Sequence, residues 1–448
     1  MAVSATDGLA DGIAGVLAGV GYTDVVVEHL SRLTGGASRE TWAAAIISHD
    51  GARTVVLRRD PPGHGEADRM RAEAACLRAA AAAGVPVPEI IAAGDDALGI
   101  DAPYLLTAEV AGEAIARKIQ RDSAFDAVRP RLAAEMGRVL GLIHRTPTDT
   151  LGMLSRLDPL DAIEETYLSF DEPRPVVEAG LRWLRDHRPP VRAQTLVHGD
   201  FRLGNLLICD GGSDDGGIEG VLDWELAHLG SPIEDLGWLC VRAWRFGQPE
   251  PVAGIGSRED LLDGYASVTG SRPGLDELHW WEVYGTLRWL VLSRFQAERH
   301  LCGAEHSLEL AAVGRRVCES EYDLLLALGL LDDVPEGPAA PWSATVHGRP
   351  ELTEILALIR ETLGGEVLEA LPADRGRERF QLKICLNLLG IADRELRTGP
   401  VDVGDEAALA VAIRDGSADY IDPDVRHAMS VAVLARLRVS NPRHLVAG

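Results

Sequence analysis

LVHGDFRLGNLLI, running from Leu196 to Ile208, places His198, Gly199, Asp200 and Asn205 on a loop that enters a strand. Twenty-three residues after Asp200, Asp223 stands in VLDWE at the end of the next strand. The intervening CDGGSDDGGIE is rich in turn formers, so LLI and GVLDW read as a hairpin with a long, solvated tip. A carboxylate, an amide five residues later and a second carboxylate across a hairpin make a compact oxygen-rich cluster. Phosphoryl transfer needs such a set: one carboxylate to accept a hydroxyl proton, and two oxygen ligands to hold magnesium on nucleotide phosphates. The plainer alternative is that Asp200 and Asn205 only pin a tight loop through bonds to the backbone. The joint spacing with Asp223 favours catalysis.

The front of the chain supplies matching parts. Between Val25 and Leu57, short apolar runs broken by glycine and the turn SHDGAR read as three strands. Leu33-Thr34-Gly35-Gly36-Ala37-Ser38 joins two of them, and glycines there let backbone amides approach a polyphosphate, although a glycine pair at a hairpin is most often only a turn. VVLRR ends a strand with Arg58 and Arg59. A helix is expected over about 66–83, stopped by Gly84, with Glu73 on its inward face through its spacing to Met70 and Leu77. An inward carboxylate needs a cation, for which Arg58 is the natural choice; the alternative is a surface pair with Arg69. EIIAAG and PYLLTAEV look like two further strands, so an antiparallel sheet with one inserted helix fills roughly the first 110 residues.

Beyond it the pattern is helical, as in RLAAEMGRVLGLIHR and LHWWEVYGTLRWLVLSRFQAERH, and Ser231-Pro232-Ile233-Glu234 reads as a capping box with proline at the first helical position. DDVPEGPAAPW is a proline-rich acidic linker, and ELTEILALIRETL and RFQLKICLNLLGIADREL then show helical spacing. The expected organisation is an N-lobe over 1–110, a second lobe over 111–333, a linker over 334–345 and an all-α accessory domain over 346–448.

Composition narrows the partners. The 448 residues hold 44 Lys plus Arg against 69 Asp plus Glu, a net charge of −25, which argues against nucleic acid. Residues 1–340 carry 31 basic and 53 acidic side chains, a balance of −22. Lys118 and Lys383 are the only lysines. No apolar run approaches the roughly 18 residues of a membrane span. The early Asp7 and Asp11, with no early Arg or Lys, lack the charged front of a secretory signal, so a cytoplasmic protein is expected. Six scattered cysteines without a Cys-x-x-Cys pair read mostly as core thiols. A Walker-type G-x-x-x-x-G-K-[ST] is absent, and GIGSRE at 254–259 lacks a third glycine and reads as a loop.

The series TGGAS, VLR, a helix glutamate, VHGDFRLGN and VLDWELAHLGSPIEDLGWL resembles the aminoglycoside phosphotransferase and choline kinase-like superfamily, relatives of the protein kinases. The resemblance covers about residues 25–330 and is closest to phosphotransferases fused to, or encoded beside, acyl-CoA dehydrogenases; the helical tail resembles a domain that accompanies some of them. It implies an α+β, bilobal, protein-kinase-like fold followed by the small all-α domain, and an ATP- and Mg2+-dependent kinase with an alcohol group as acceptor. It further implies Asp200 as catalytic base, Asn205 and Asp223 as magnesium ligands, and Gly35, Gly36 and Ser38 as the loop over the phosphates. Arg58, paired with Glu73, stands where the wider family carries lysine, and a forked guanidinium differs in geometry from an ammonium. PYLLTAEVAGE would lie beside adenine, with backbone contacts at Ala108 to Val110.

Only twelve residues separate Asp223 from Asp235, too few for a peptide-docking segment, which favours a small-molecule acceptor. Trp280, Trp281, Tyr284, Arg288 and Arg294 are acceptor-side candidates, of which Trp281, Tyr284 and Arg288 share one helix face; the competing reading makes the aromatics core. The acidity would suit a polycationic antibiotic, so an antibiotic (aminoglycoside or macrolide) or choline-type kinase is the alternative. The family resemblance points instead to a hydroxyacyl-CoA or related hydroxy acid, which is ranked first. A third possibility is a nucleotide-binding regulatory or scaffold module that docks an acyl-CoA dehydrogenase.

Overall fold

Five strands build the front of the molecule because short β-branched and aliphatic runs are cut by turns and, between the third and the fourth, by a helix. In the computed structural model, which describes residues 5–33, 39–63, 65–190, 194–211, 216–334 and 352–445, these are β1 (Val26–Leu33), β2 (Glu40–Ser48), β3 (Gly51–Arg59), β4 (Ile90–Gly94) and β5 (Tyr104–Ala108). They pair antiparallel in the order β1-β2-β3-β5-β4. Side chains alternate across the sheet, so Val55, Leu57 and Leu106 face one side and Leu105 the other. A helix not expected from the sequence, α1 (Ala5–Gly19), covers the first side with Leu9, Ile13 and Leu17. The expected helix forms as α2 (Ala67–Ala82) and ends at Gly84, whose φ of 84° is the left-handed turn glycine permits. Met70, Ala74 and Leu77 of α2 join Leu105 in the main core.

Nine α-helices and two small two-stranded sheets make up the described residues of the region that follows: α3 (Ala116–Arg121), α4 (Leu132–His144), α5 (Pro159–Leu168), α6 (Pro175–Asp186), β6 (Thr195–Val197), β7 (Leu206–Cys209), β8 (Gly217–Val221), β9 (His228–Gly230), α7 (Ile233–Cys240), α8 (Arg258–Thr269), α9 (Leu275–Leu301), α10 (Leu308–Arg315) and α11 (Val317–Leu328). β7 pairs with β8 as the expected hairpin, although residues 212–215 of its tip lie outside the described residues. β6 pairs with β9, a clamp the sequence reading did not contain. α4 lies against α8 so closely that a Cβ on Gly264 would sit 1.9 Å from Ala134 O. The capping box at α7 is half formed. Ser231 Oγ accepts from Ile233 N at 3.4 Å, but the buried Glu234 turns away to the half-buried His228, whose Nε2 lies 3.1 Å from its carboxylate.

Helices at Gly376–Thr398, Glu406–Asp415 and Pro423–Ser440 form most of the tail. Arg414 and Arg436 from it reach the buried Glu178 of α6 and Glu321 of α11. Apart from Val334, the expected linker lies outside the described residues. Among the described residues no helix is long and apolar enough to cross a membrane. All six cysteines are free; Cys76, Cys240 and Cys318 are buried, whereas Cys209 and Cys385 are half-buried and Cys302 is exposed, so only half are core thiols.

Candidate active site

The loop after β6 is held from beneath by a buried carboxylate. Asp235, in the first turn of α7, accepts from His198 N at 2.8 Å and Gly199 N at 2.9 Å and faces His144 Nε2 at 3.2 Å. Burial works to raise its pKa, but His144 and the His198 amide outweigh burial and hold it below the usual carboxylate value. Arg288 Nη1 donates to Gly199 O at 2.7 Å, and His198 links Leu222 O to Asp200 N at 3.0 and 3.2 Å. The amides of His198, Gly199 and Asp200 and the carbonyl of Gly199 thus all have partners. Gly199 has φ 80°, and a Cβ there would meet Leu226 O at 2.5 Å, so the two loops touch backbone to backbone.

This frame fixes the Asp200 carboxylate. Oδ1 accepts from Trp238 Nε1 and Arg202 Nε, both at 3.0 Å, and Oδ2 from Asn205 Nδ2 at 2.7 Å. Asn205 Nδ2 also donates to Asp200 O at 2.9 Å. With its amide nitrogen committed twice, Asn205 keeps Oδ1 as an acceptor. Leu222 N donates to Asn205 O at 2.8 Å, and the next residue, Asp223, takes the left-handed conformation at φ 66°, one that Asp tolerates better than most residues. Asn205 and Asp223 therefore line the same wall.

Across the cleft, Glu73 is 2% exposed and receives two arginines. Arg58 Nη1 donates to its Oε1 at 2.5 Å and Arg39 Nη1 to its Oε2. Arg58 Nη2 also reaches Asp223 Oδ1 at 2.9 Å, so one guanidinium bridges the two halves of the molecule. Burial works to lower the Arg58 pKa, but Glu73 and Asp223 together raise it above its ordinary value. Arg69 pairs with Glu66 instead, which removes the surface alternative for Glu73. Lys118 pairs with Glu113 at 2.8 Å and takes no part.

The cleft measures about 660 Å³, within the roughly 300–1,000 Å³ of small-molecule sites. Ala108 and Val110 line it on the segment joining the lobes, and the Ala108 amide is engaged by Glu89 O at 2.9 Å. Its walls carry four arginines (39, 58, 202 and 299) and four carboxylates (Glu73, Glu109, Asp223 and Glu225), so the chain's net acidity does not extend into it. Gly35, Gly36 and Ser38 lie outside the described residues. Among the described residues no three His, Cys, Asp or Glu side chains are arranged to hold a metal unaided. Asn205 Oδ1 and Asp223 are hard oxygen donors, and they fit a cation that shares its remaining ligands with phosphate oxygens.

The acceptor-side candidates fall elsewhere. Trp281 and Tyr284 are 5% and 4% exposed, pack against each other with ring centres 5.3 Å apart, and belong to the main core rather than the cleft wall. Their helical spacing marks a core stripe on α9. Arg288 is buried beneath Gly199 and stacks 4.8 Å over Trp238. Arg294 pairs with Glu172 and Glu298. The side chains that do bond Asp200 are Trp238, Arg202 and Asn205, and Arg202 in turn stacks 4.9 Å over Trp244. Arg39, Arg202, Asp235 and Trp238 were given no site role from the sequence; the available signal was their place inside the two motif segments and directly after the glycine loop.

Comparison with known proteins is consistent with this geometry. The model of the phosphotransferase enzyme family matches residues 29–273, and that of a domain of unknown function (DUF6285) matches residues 372–444. Mouse acyl-CoA dehydrogenase family member 10 is 30% identical over 203 residues, 42% of this chain and 18% of that protein. Rat acyl-CoA dehydrogenase family member 11 is 22% identical over 369 residues, 77% of this chain and 46% of that protein. The chain thus spans less than half the length of these relatives. Among solved structures, a Ralstonia eutropha protein described as a candidate aminoglycoside phosphotransferase superimposes with a TM-score of 0.55 at 21% identity, over 71% of this chain and 98% of that one. That likeness shows a shared fold.

Proposed function

Since the chain belongs to the phosphotransferase enzyme family, we propose that it transfers the γ-phosphate of ATP to the hydroxyl of a hydroxyacyl-CoA or related hydroxy acid. The observation that carries this reading is that Asn205, bonded to Asp200, and Asp223 line one wall of the cleft, opposite the Arg58–Glu73 pair. Asp200 accepts the proton as the acceptor oxygen bonds to phosphorus and the bond to the nucleotide's leaving oxygen breaks. Trp238 and Asn205 keep its carboxylate aimed. Asn205 Oδ1 and Asp223 would hold Mg2+, which when bound neutralises phosphate charge. Arg58 serves the phosphates, the backbone from Ala108 to Val110 the adenine, and Gly35, Gly36 and Ser38 the polyphosphate.

Two observations support an anionic acceptor. The cleft is lined by as many arginines as carboxylates, where a polycation would want carboxylates in excess. The curated relatives are named as acyl-CoA dehydrogenase family members and extend well past the matched part, which also makes an acyl-CoA dehydrogenase the proposed partner.

Transfer of labelled γ-phosphate from Mg-ATP to 4-hydroxyacyl-CoAs, aminoglycosides, macrolides and choline tests the reading. Label on the acyl-CoA is expected, with Asp200→Asn turning over orders of magnitude more slowly while still binding nucleotide. Label on choline or an antibiotic alone would reject the acceptor. Normal turnover by the variant would reject Asp200.

A further inference from the structure

In the helical tail of a chain whose net charge is −25, Arg360 has no counter-ion. Arg375, Arg397, Arg414, Arg426 and Arg436 of the tail each meet a carboxylate. Arg360, on the helix Leu352–Thr362, forms neither an ion pair nor a hydrogen bond among the described residues, and its Nε is buried. A second guanidinium lies against it. A Cβ on Gly390 would sit 3.3 Å from Arg360 Cζ and 3.4 Å from both Arg360 Nη2 and Arg394 Nη1, so the two groups converge over a bare position of the helix Gly376–Thr398.

Helix capping accounts for one of the pair. Arg394 Nε donates to Val439 O at 2.6 Å and Nη2 to Ser440 O at 3.1 Å, the last carbonyls of the helix Pro423–Ser440. Its Nη1 is left without a partner among the described residues, and nothing in the cap calls for Arg360. Burial and then Arg360 hold the Arg394 pKa below its ordinary value, with Arg443 acting in the same sense. The neighbouring Asp393 does not offset them, because its carboxylate accepts from Arg397 Nε at 2.9 Å. Like charges kept together in this way are relieved by an anion.

We propose that Arg360 and Arg394 form a binding site for a phosphate group, separate from the cleft, whose lining residues end at Arg299. A tetrahedral phosphate can give a pair of oxygens to each guanidinium fork, whereas a single carboxylate has one pair to give. Two arginines also balance the roughly two negative charges of a phosphate monoester. Soluble phosphate esters and lipid headgroups both present this chemistry.

The test is a 31P NMR titration of inorganic phosphate into the full chain, at an ionic strength held constant with chloride, for wild type, Arg360→Gln and Arg377→Gln, with thermal melts in the same buffers. Arg377 is exposed on the helix that carries Arg394, about 20 Å from Gly390, so its replacement removes the same charge from another place. Arg360→Gln is expected to weaken phosphate by about tenfold or more and Arg377→Gln by less than about twofold. In chloride, Arg360→Gln should melt at or above the wild-type temperature, since a like-charge contact is gone, and it should lose the rise in Tm that phosphate gives wild type. Phosphate held in the cleft would persist in both variants and cancels in the comparison. Equal losses in the two variants, or phosphate binding that does not depend on Arg360, would overturn the site. A lower Tm for Arg360→Gln in chloride, with phosphate affinity kept, would make Arg360 structural and overturn it equally. Sedimentation with vesicles of phosphatidylcholine and phosphatidate then separates the two sources: with phosphate binding established, co-sedimentation that Arg360→Gln abolishes identifies a lipid headgroup, and its absence identifies a soluble ester.

Discussion

The indole Nε1 of Trp238, on the last turn of α7, donates to Oδ1 of Asp200 at 3.0 Å, joining the helix after the second loop to the carboxylate of the first that is proposed as the base. The hydrogen bond fixes one oxygen of a group whose other oxygen is held by Asn205, so the carboxylate has no rotational freedom about its last bond. A hydrogen bond to a charged group contributes about 1.5–3 kcal/mol, roughly a ten- to hundredfold effect on rate if the aim of the base is what it secures. Trp238→Phe should therefore lower kcat by that factor and leave the Mg-ADP dissociation constant unchanged. Equal losses in both would place Trp238 in the scaffold of the whole cleft.

His228 makes the protein's stability depend on pH near neutrality. Burial works against its proton, but Glu234 at 3.1 Å outweighs burial and pushes the pKa up to about 8 from the ordinary 6.5. Because the folded value exceeds the unfolded one, the contribution is fully present below about pH 6.5 and is lost as pH rises through 8. Its size is on the order of 2 kcal/mol. Denaturant melts between pH 6 and 9 should show that decline in wild type and a flatter profile in His228→Gln.

At the acid end Asp235 acts in the opposite sense. Its folded pKa lies below its unfolded value, so its contribution is complete above the ordinary carboxylate range near 4 and is lost as pH falls through the lower folded value. Asp235→Asn keeps the shape but gives up the charged acceptor for His198 N and Gly199 N. A loss of roughly 3 kcal/mol at pH 7 is expected, with a shallower acid limb in the melting profile. An acid limb as steep as that of wild type would assign it to other carboxylates.

The legible part of this chain was the part written in adjacent residues. The five strands of the front, α2 with its stop at Gly84, and the β7–β8 hairpin follow from periodicity and turn chemistry acting over a few positions. The cleft wall is legible for the same reason, since Asn205 is five residues from Asp200. What escaped depends on approach between distant segments. The β6–β9 clamp uses two three-residue strands, too short to show a period. Arg39 reaches Glu73 from 34 positions away, and its spacing carries no trace of that contact. Helix α1 was legible in principle, because Leu9, Ile13 and Leu17 recur every fourth residue. The stripe of Trp281, Tyr284 and Arg288 marks burial, and periodicity alone does not separate a buried stripe from a binding face.

That stripe gives a direct contrast with Trp238. Trp281 is 5% exposed, and its buried Nε1 has no hydrogen-bond partner among the described residues, so the indole serves by filling volume. Trp281→Phe removes some of that volume and also removes an unpaired donor, two effects of opposite sign, so a net loss of about 1–3 kcal/mol is expected. Because the side chain does not face the cleft, the variant assayed well below its melting temperature should keep the acceptor KM and kcat within about twofold. A rise in acceptor KM without loss of stability would return Trp281 to the acceptor site and require α9 to open toward the cleft when substrate binds.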